Sequence, residues 1–205
     1  MNSAAPFIVG IGGTTAATSS TQQALALALQ AAEASGARVR MFDGPFLTRL
    51  PHYLTGASTT SPEGRELVAN VRRADGLIIA SPGYHGSISG LVKNAIDYFE
   101  EMGSDARVYL EGVPVGLITT AYGWQATGST LATLRAIVHA LRGWPTPLGA
   151  AINSSGGIFK GDEYSDPAAR SQLELVGRQV VEFASLRLTH PGLLRTATDG
   201  VDAPG

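Results

Sequence analysis

The sequence has no cysteine. That absence removes disulfides, thiolate nucleophiles, zinc–thiolate sites and iron–sulfur ligation in one step, and it is compatible with a reducing compartment. Charge is also scarce: 16% of residues are Asp, Glu, Lys or Arg, and 15 cations against 17 anions leave a formal net charge of −2. No basic cluster of the kind that neutralises phosphates along a nucleic acid is present, which excludes nucleic acid as a partner. A run of about 18 apolar residues is missing, and so is a positive leader before an apolar stretch, so the expectation is a soluble, cytoplasmic protein without a membrane association. A length of 205 residues suits one domain, able to bury roughly 70% of its unfolded surface. The surplus is in glycine, 25 of 205 residues, where the average is about 7%.

Short β-branched runs alternate with longer stretches of helical spacing, the signature of βαβ units on a parallel sheet. Pro6 to Gly12 reads as a strand buried on both faces. A helix begins near Ser20, with Leu25, Leu29 and Ala32 on its apolar face and Gly36 as its stop. Ala37 to Phe42 alternates more and reads as a strand nearer an edge. Asp43 to Thr60 lacks periodicity, with room for one short helical turn, and a loop of this length in a compact domain is more often functional than idle. Ser61-Pro62-Glu63 opens a helix through about Ala74. Gly76 to Ala80 is the third strand, Ser81 to Gly86 a turn, and Ser87 to Met102 a helix with Ile88, Leu91, Ala95, Phe99 and Met102 on one face. Val113 to Thr120 is the fourth strand, and the helix after it carries Leu131, Leu134, Val138 and Leu141 and is stopped by Gly143 and Pro145. Pro147 to Ile152 is a short fifth strand, and Asn153 to Ser165 a Gly/Ser-rich loop. Asp166-Pro167 caps a last helix, with Leu173, Val176, Val180 and Ala184, that ends at His190-Pro191-Gly192. Residues 1–190 therefore form the domain, and 191–205, with little to bury, read as a disordered tail.

Five strands and five helices joined by right-handed crossovers give a three-layer α/β sandwich, its parallel sheet in the order 2-1-3-4-5. Ligands of such sheets bind outside the carboxyl ends of the strands, near the switch point between strands 1 and 3. The first loop there, Gly12 to Thr21, sets hydroxyls and backbone N–H groups at a helix N-terminus. It reads structurally as a turn and cap, and functionally as a cradle that holds a phosphate monoester without Lys or Arg. Thr15 stands where a dinucleotide fingerprint needs its third glycine, and no Lys follows as in a P-loop.

The second loop, Ser81-Pro82-Gly83-Tyr84-His85-Gly86-Ser87-Ile88-Ser89-Gly90, reads structurally as a tight turn with Ser87 as helix N-cap. Functionally it presents backbone N–H and C=O groups to the edge of a flat heteroaromatic ring such as a flavin. It is not a nucleophile elbow, because Ile88 stands where G-x-S-x-G needs Ser, which disfavours a serine hydrolase. In the third loop, Thr119-Thr120-Ala121-Tyr122-Gly123-Trp124, the two aromatics either pack at a helix start or stack on ring surfaces.

The stretch from Ser81 through Gly90 and on through Leu91-Val92-Lys93-Asn94-Ala95-Ile96-Asp97 resembles the P-x-Y-x-x-S-x-x-G-x-(L/V)-K-N-x-x-D motif of the NADPH-dependent FMN reductase family, flavodoxin-like flavoproteins. The first loop is similar to that family's G-S-x-R-x-x-S-x-N phosphate loop, with Gly13, Thr14, Ser19 and Thr21 on its Gly, Ser, Ser and Asn. Ala16 falls on the Arg, a departure that leaves phosphate charge less well neutralised, and His85 stands where many members have Asn. The resemblance covers most of residues 6 to 188 and implies a flavodoxin-like sandwich. By it, Thr14, Ser19, Ser20 and Thr21 hold the FMN phosphate. Pro82, Gly83, Tyr84, His85, Gly86 and Ser87 lie along the isoalloxazine, and Thr120, Ala121, Tyr122 and Gly123 belong to a second flavin-contacting loop. Lys93, Asn94 and Asp97 are a solvated helix face on the plain reading and a subunit contact on the family reading, with a homodimer or homotetramer as the family expectation.

Hydride transfer from NADPH or NADH to FMN needs ring stacking, exclusion of water and electrostatic tuning, so no side-chain acid or base is obligatory and no catalytic residue or metal site is assigned. The implied function is an NAD(P)H-dependent FMN reductase that supplies reduced flavin to a partner monooxygenase. The alternatives are an FMN-retaining reductase of quinones, azo compounds or metal oxyanions, and a redox-inactive flavodoxin-like binding module in keeping with Ala16. An electron carrier of the flavodoxin type normally needs a strongly acidic docking face, and a net charge of −2 speaks against it.

Overall fold

Every residue of strand β1 (Phe7–Gly12) is buried, as expected of an uninterrupted apolar run covered by helices on both sides. A computed structural model describes residues 5–16, 19–56, 61–156, 159–160, 163–164 and 166–190. The tail 191–205, and Gly157 and Gly161 of the loop after the last sheet strand, lie outside the described residues. Helix α1 (Ser20–Ala34) leads to β2 (Arg38–Phe42), whose arginines alternate outward, and β2 pairs in parallel with β1 at the sheet edge. The other side of β1 pairs with β3 (Gly76–Tyr84). After the two-residue strand β4 (Ser87–Ile88), β5 (Pro114–Ala121) pairs with β3, and β6 (Trp144–Asn153) with β5. The parallel order β2-β1-β3-β5-β6 is the expected 2-1-3-4-5 once the short antiparallel β4 is set aside.

Side chains alternate across this sheet and build two cores. Val9, Ile11, Leu77, Ile79, Val115 and Leu117 pack under α3 (Pro62–Arg72), α4 (Gly90–Asp97) and α5 (Trp124–Ala140). Ile8, Ile78, Ala80 and Ile118 pack under α1 and α6 (Pro167–Thr189). Truncating a fully buried member such as Ile78 to Ala costs about 2–5 kcal/mol. α1 and α6 touch at Gly177, where a Cβ would run into the carbonyl of Ala28.

Local departures have identifiable causes. Among its described residues the long loop after β2 carries a short helix, α2 (Gly44–Leu47), capped by the Asp43 side chain accepting from Phe46 N–H at 2.9 Å. β3 runs past Ala80 to Tyr84 because the chain reverses there into β4 instead of entering a helix, so Ser89 and not Ser87 caps α4. That helix changes at Tyr98 into a 3-10 segment ending at Met102. Gly36 turns with φ +91° after α1, but after α5 Arg142 takes the left-handed conformation at φ +63°. Gly143 follows it and donates to Val138 C=O at 2.9 Å. β6 starts at Trp144 because Pro145 and Pro147 are tolerated on an edge strand, and its register with β5 shifts between Val115 and Leu117. Where a plain loop was expected after β6, β7 (Phe159–Lys160) and β8 (Glu163–Tyr164) pair antiparallel.

Candidate functional site

The carboxyl ends of β1, β3 and β5 open into a cleft of about 360 Å³. At the end of β1, Gly12 (φ +155°) and Gly13 (φ +125°) turn the chain away from the sheet. A Cβ on Gly12 would collide with the backbone of Ala80, so only glycine lets the loop leave this close to β3. Thr14 and Ala16 follow and line the cleft, with Thr14 Oγ1 accepting from Ala16 N–H at 3.1 Å.

Ser19, 5% exposed, is the N-cap of α1, its Oγ accepting from Gln22 N–H at 3.2 Å. That bond leaves the Ser19 hydroxyl proton available to a ligand. Ser20 and Thr21 form the first turn and line the same cleft. The first turn of α1 carries no Asp or Glu, so its partial positive charge faces the cleft without an internal counter-charge. The buried hydroxyls of Thr21 and Thr120 share a 2.6 Å hydrogen bond across 99 residues of chain and tie the start of α1 to the end of β5.

At the end of β3, buried Ser81 donates to Pro82 C=O at 2.9 Å and accepts from Ser89 N–H at 3.0 Å. This closes the β3–β4 hairpin, in which Gly83 pairs with Ile88 and Tyr84 with Ser87. His85 (φ +52°) and Gly86 (φ +84°) are its two-residue turn, a left-handed pair that matches strand twist. Pro82, Gly83 and Tyr84 line the cleft, while His85, Gly86 and Ser87 sit on the turn and returning strand and are not among the lining residues. Gly83 is small for packing reasons, since a Cβ there would lie 2.6 Å from Thr130 Oγ1 beneath α5.

At the end of β5, Thr120, Ala121 and Tyr122 line the cleft, and Tyr122 is 84% exposed. Gly123 is the N-cap of α5 and does not line it. Its N–H donates to Asn153 Oδ1 at 3.1 Å, an oxygen that also accepts from Ser155 N–H at 3.1 Å. With Ser154 N–H donating to Ala121 C=O at 2.9 Å, these bonds bring Ser154 to the cleft beside Ala126 of α5. Sequence reasoning passed over both residues. Asn153 at a strand end, able to accept twice, was the available signal. Trp124 is 69% exposed and outside the lining set. The lining thus combines two tyrosines, Tyr84 and Tyr122, with the hydroxyl residues Thr14, Ser19, Ser20, Thr21, Thr120 and Ser154. Among the described residues that line the cleft, none is Asp, Glu, Lys, Arg or His.

The polar face of α4 divides. Lys93 and Asp97 form an exposed ion pair at 2.6 Å, whereas Asn94 turns inward to the long loop, accepting from Tyr53 N–H at 2.8 Å and donating to Pro51 C=O at 3.0 Å. Beside it, burial and the nearby Glu101 carboxylate push the Tyr53 hydroxyl above its ordinary pKa.

The sheet order and a cleft at its switch point define a flavodoxin-like α/β fold. Solved structures agree on that fold. A flavoenzyme NAD(P)H:(acceptor) oxidoreductase from Paracoccus denitrificans superposes with a TM-score of 0.69 at 18% identity, covering 88% of this chain and 98% of its own. An apo NADH:FMN oxidoreductase superposes with a TM-score of 0.66 at 20% identity, covering 93% and 94%. Residues 6–157 match the NADPH-dependent FMN reductase family, and the chain belongs to that family. Among characterised relatives, the FMN-dependent NADPH-azoreductase of Staphylococcus aureus is 33% identical over 139 residues, 62% of this chain and 70% of the relative. The chain is therefore an oxidoreductase of the class that works with FMN and a nicotinamide nucleotide.

Proposed function

We propose that the chain is an NAD(P)H-dependent FMN reductase whose cleft takes the flavin phosphate at Thr14, Ser19, Ser20 and Thr21. In this reading the isoalloxazine lies along Pro82, Gly83 and Tyr84 and against Thr120, Ala121 and Tyr122, with His85, Gly86, Ser87 and Gly123 shaping the two loops. The carrying observation is the lining of the cleft, which combines hydroxyl groups and the first turn of α1 with two exposed tyrosines. That donor set fits a phosphorylated flat ring, since N–H and O–H groups at a helix start hold phosphate and tyrosine faces stack on rings. FMN, when bound, supplies the hydride-accepting chemistry. The chain's residues bind and orient. Thr21–Thr120 ties the first loop to the third, and the Asn153 bonds tie the third to the end of β6, so that these flavin-facing segments are held in one arrangement.

Purified full-length protein mixed with NADPH and FMN should bleach the flavin absorbance. Failure to bind FMN, or to oxidise NADPH when FMN is supplied, overturns the reading.

A second reading is supported by Tyr84 and Tyr122, 52% and 84% exposed, which offer a surface to a flat aromatic acceptor such as an azo compound or quinone. Flavin retained through gel filtration, with acceptor turnover independent of added FMN, would favour it. Loss of flavin and saturable dependence on added FMN favour the reductase, with a flavin-dependent monooxygenase as the consumer of reduced FMN. We further propose residues 1–190 as the FMN-binding domain, a homodimer or homotetramer in solution to be read by light scattering, and a cytoplasmic location.

A further inference from the structure

We infer that Gly44 and Gln22, neither of which lines the cleft, are positioning residues that set the separation of Thr14 from Ser19 and with it the fit of the flavin phosphate. The inference rests on the flavin reading above, which seats the phosphate at Thr14, Ser19, Ser20 and Thr21.

Gly44 is the first residue of α2, and its backbone does not take a positive φ. Alanine would satisfy that conformation and is the better helix former. What excludes a side chain there is a neighbour distant in the chain: a Cβ would run into the carbonyl oxygen of Thr14 and come within 2.7 Å of its carbon. The start of α2 therefore rests directly on the backbone of a cleft residue. Gly13 takes part in the same contact, since a Cβ on it would lie 2.8 Å from the Gly44 nitrogen.

Gln22 completes the arrangement. Its side-chain Oε1 accepts from Gly44 N–H at 3.3 Å, and its own N–H donates to Ser19 Oγ at 3.2 Å. Thr14 rests on Gly44, Gly44 is bonded to Gln22, and Gln22 to Ser19, a bridge between two cleft residues that does not pass through residues 15–18. α2 gives the bridge a fixed base, because Asp43 caps it by accepting from Phe46 N–H at 2.9 Å and Phe46 and Leu47 are buried in the core. A binding site works only when the groups that hold its ligand stay within about 0.5 Å of their places. Bonds from O–H and N–H donors to an ionised phosphate are charge-assisted, and they weaken steeply when their geometry is lost. The segments assigned to the flavin ring, at the ends of β3 and β5, form no part of the bridge.

The test titrates the full-length native protein, Gly44→Ala and Gln22→Met with FMN and with riboflavin, which has the same ring and lacks the phosphate, following quenching of flavin fluorescence. Gly44→Ala should weaken FMN binding by about tenfold or more, the equivalent of one charge-assisted bond, and leave riboflavin within about twofold. Gln22→Met keeps the length of the side chain without its acceptor, and should weaken FMN by about three- to tenfold with riboflavin again within about twofold. A role confined to general stability would weaken both flavins in parallel. Equal weakening of both, or FMN affinity within about twofold of native in both variants, overturns the inference and leaves the flavin reading intact. If Gly44→Ala does not fold, Gln22→Met decides by the same criteria. Binding of neither flavin by the native protein overturns the flavin reading and the inference with it.

Discussion

The two ends of the sheet each carry an open hollow, and they differ in chemistry more than in size. The carboxyl-end cleft, about 360 Å³, is lined by hydroxyls, glycine, alanine and two tyrosines. The hollow at the opposite end, about 290 Å³, lies between the start of β6 and the last turns of α6, walled by Pro114, Trp144, Phe183 and Leu186. Apolar volume alone would favour the second. The backbone favours the first, because parallel strands with right-handed crossovers aim helix N-termini at the carboxyl edge and helix C-termini at the amino edge.

The treatment of the helix ends shows the same asymmetry. The C-terminal end of α3 is stoppered by Arg107, whose guanidinium donates to Ala74, Val71 and Arg72 carbonyls at 2.8, 2.8 and 2.7 Å. Burial of that group, with Arg187 nearby, pulls its pKa below the ordinary arginine value. The N-terminal end of α1 has its cap and is otherwise open to the cleft. At the amino edge the end of α3 is closed by a side chain, whereas at the carboxyl edge the start of α1 faces the cleft.

Three substitutions break or sharpen this contrast. The largest effect is expected from Gly12→Val, which drives a branched side chain into the Ala80 backbone at a φ that valine avoids. It should cost about 3 kcal/mol or more of stability in denaturant unfolding, with loss of flavin binding. Arg107→Ala should cost about 2 kcal/mol by removing three bonds to carbonyls at and just beyond the end of α3, yet leave flavin affinity within about twofold, because the stopper is at the other end. A large loss of affinity in that variant would dissolve the separation of the two ends. The smallest change in stability belongs to Tyr122→Ala. With the side chain 84% exposed, unfolding should move by less than about 0.5 kcal/mol, while flavin affinity, read by fluorescence titration, falls by up to about tenfold.

Much of the architecture was legible because it is written locally. Two-sided strands are uninterrupted apolar runs, and Ser61-Pro62-Glu63 and Asp166-Pro167 open helices by side-chain bonds within three residues. The hairpin after β3 was misread because Ser87 and Ser89 are both plausible caps. The choice between them comes from pairing of Tyr84 with Ser87 and from Ser81 accepting the Ser89 N–H, neither of which is a sequence pattern. Pro145 read as a helix stop and Pro147 as the first residue of the strand, and only the place of this segment on an edge strand lets the strand begin earlier, at Trp144. Of the candidate site, the loops were recognised but not their membership. Ser154 reaches the cleft through Asn153, and Gly83 owes its size to Thr130 on another helix.

The order of residues by itself determined the period of each strand and helix, the glycines that let the first loop leave β1, and the absence of any cation between Gly12 and Gln23. These depend on side-chain chemistry and on bonds spanning a few residues. Tertiary structure decided which hydroxyls converge, which tyrosines flank the cleft, and which end of the sheet stays open. Those outcomes depend on contacts such as Thr21 with Thr120 and Arg107 with the end of α3. Such contacts form between residues far apart in the chain, and only the register of the sheet brings them within hydrogen-bonding distance.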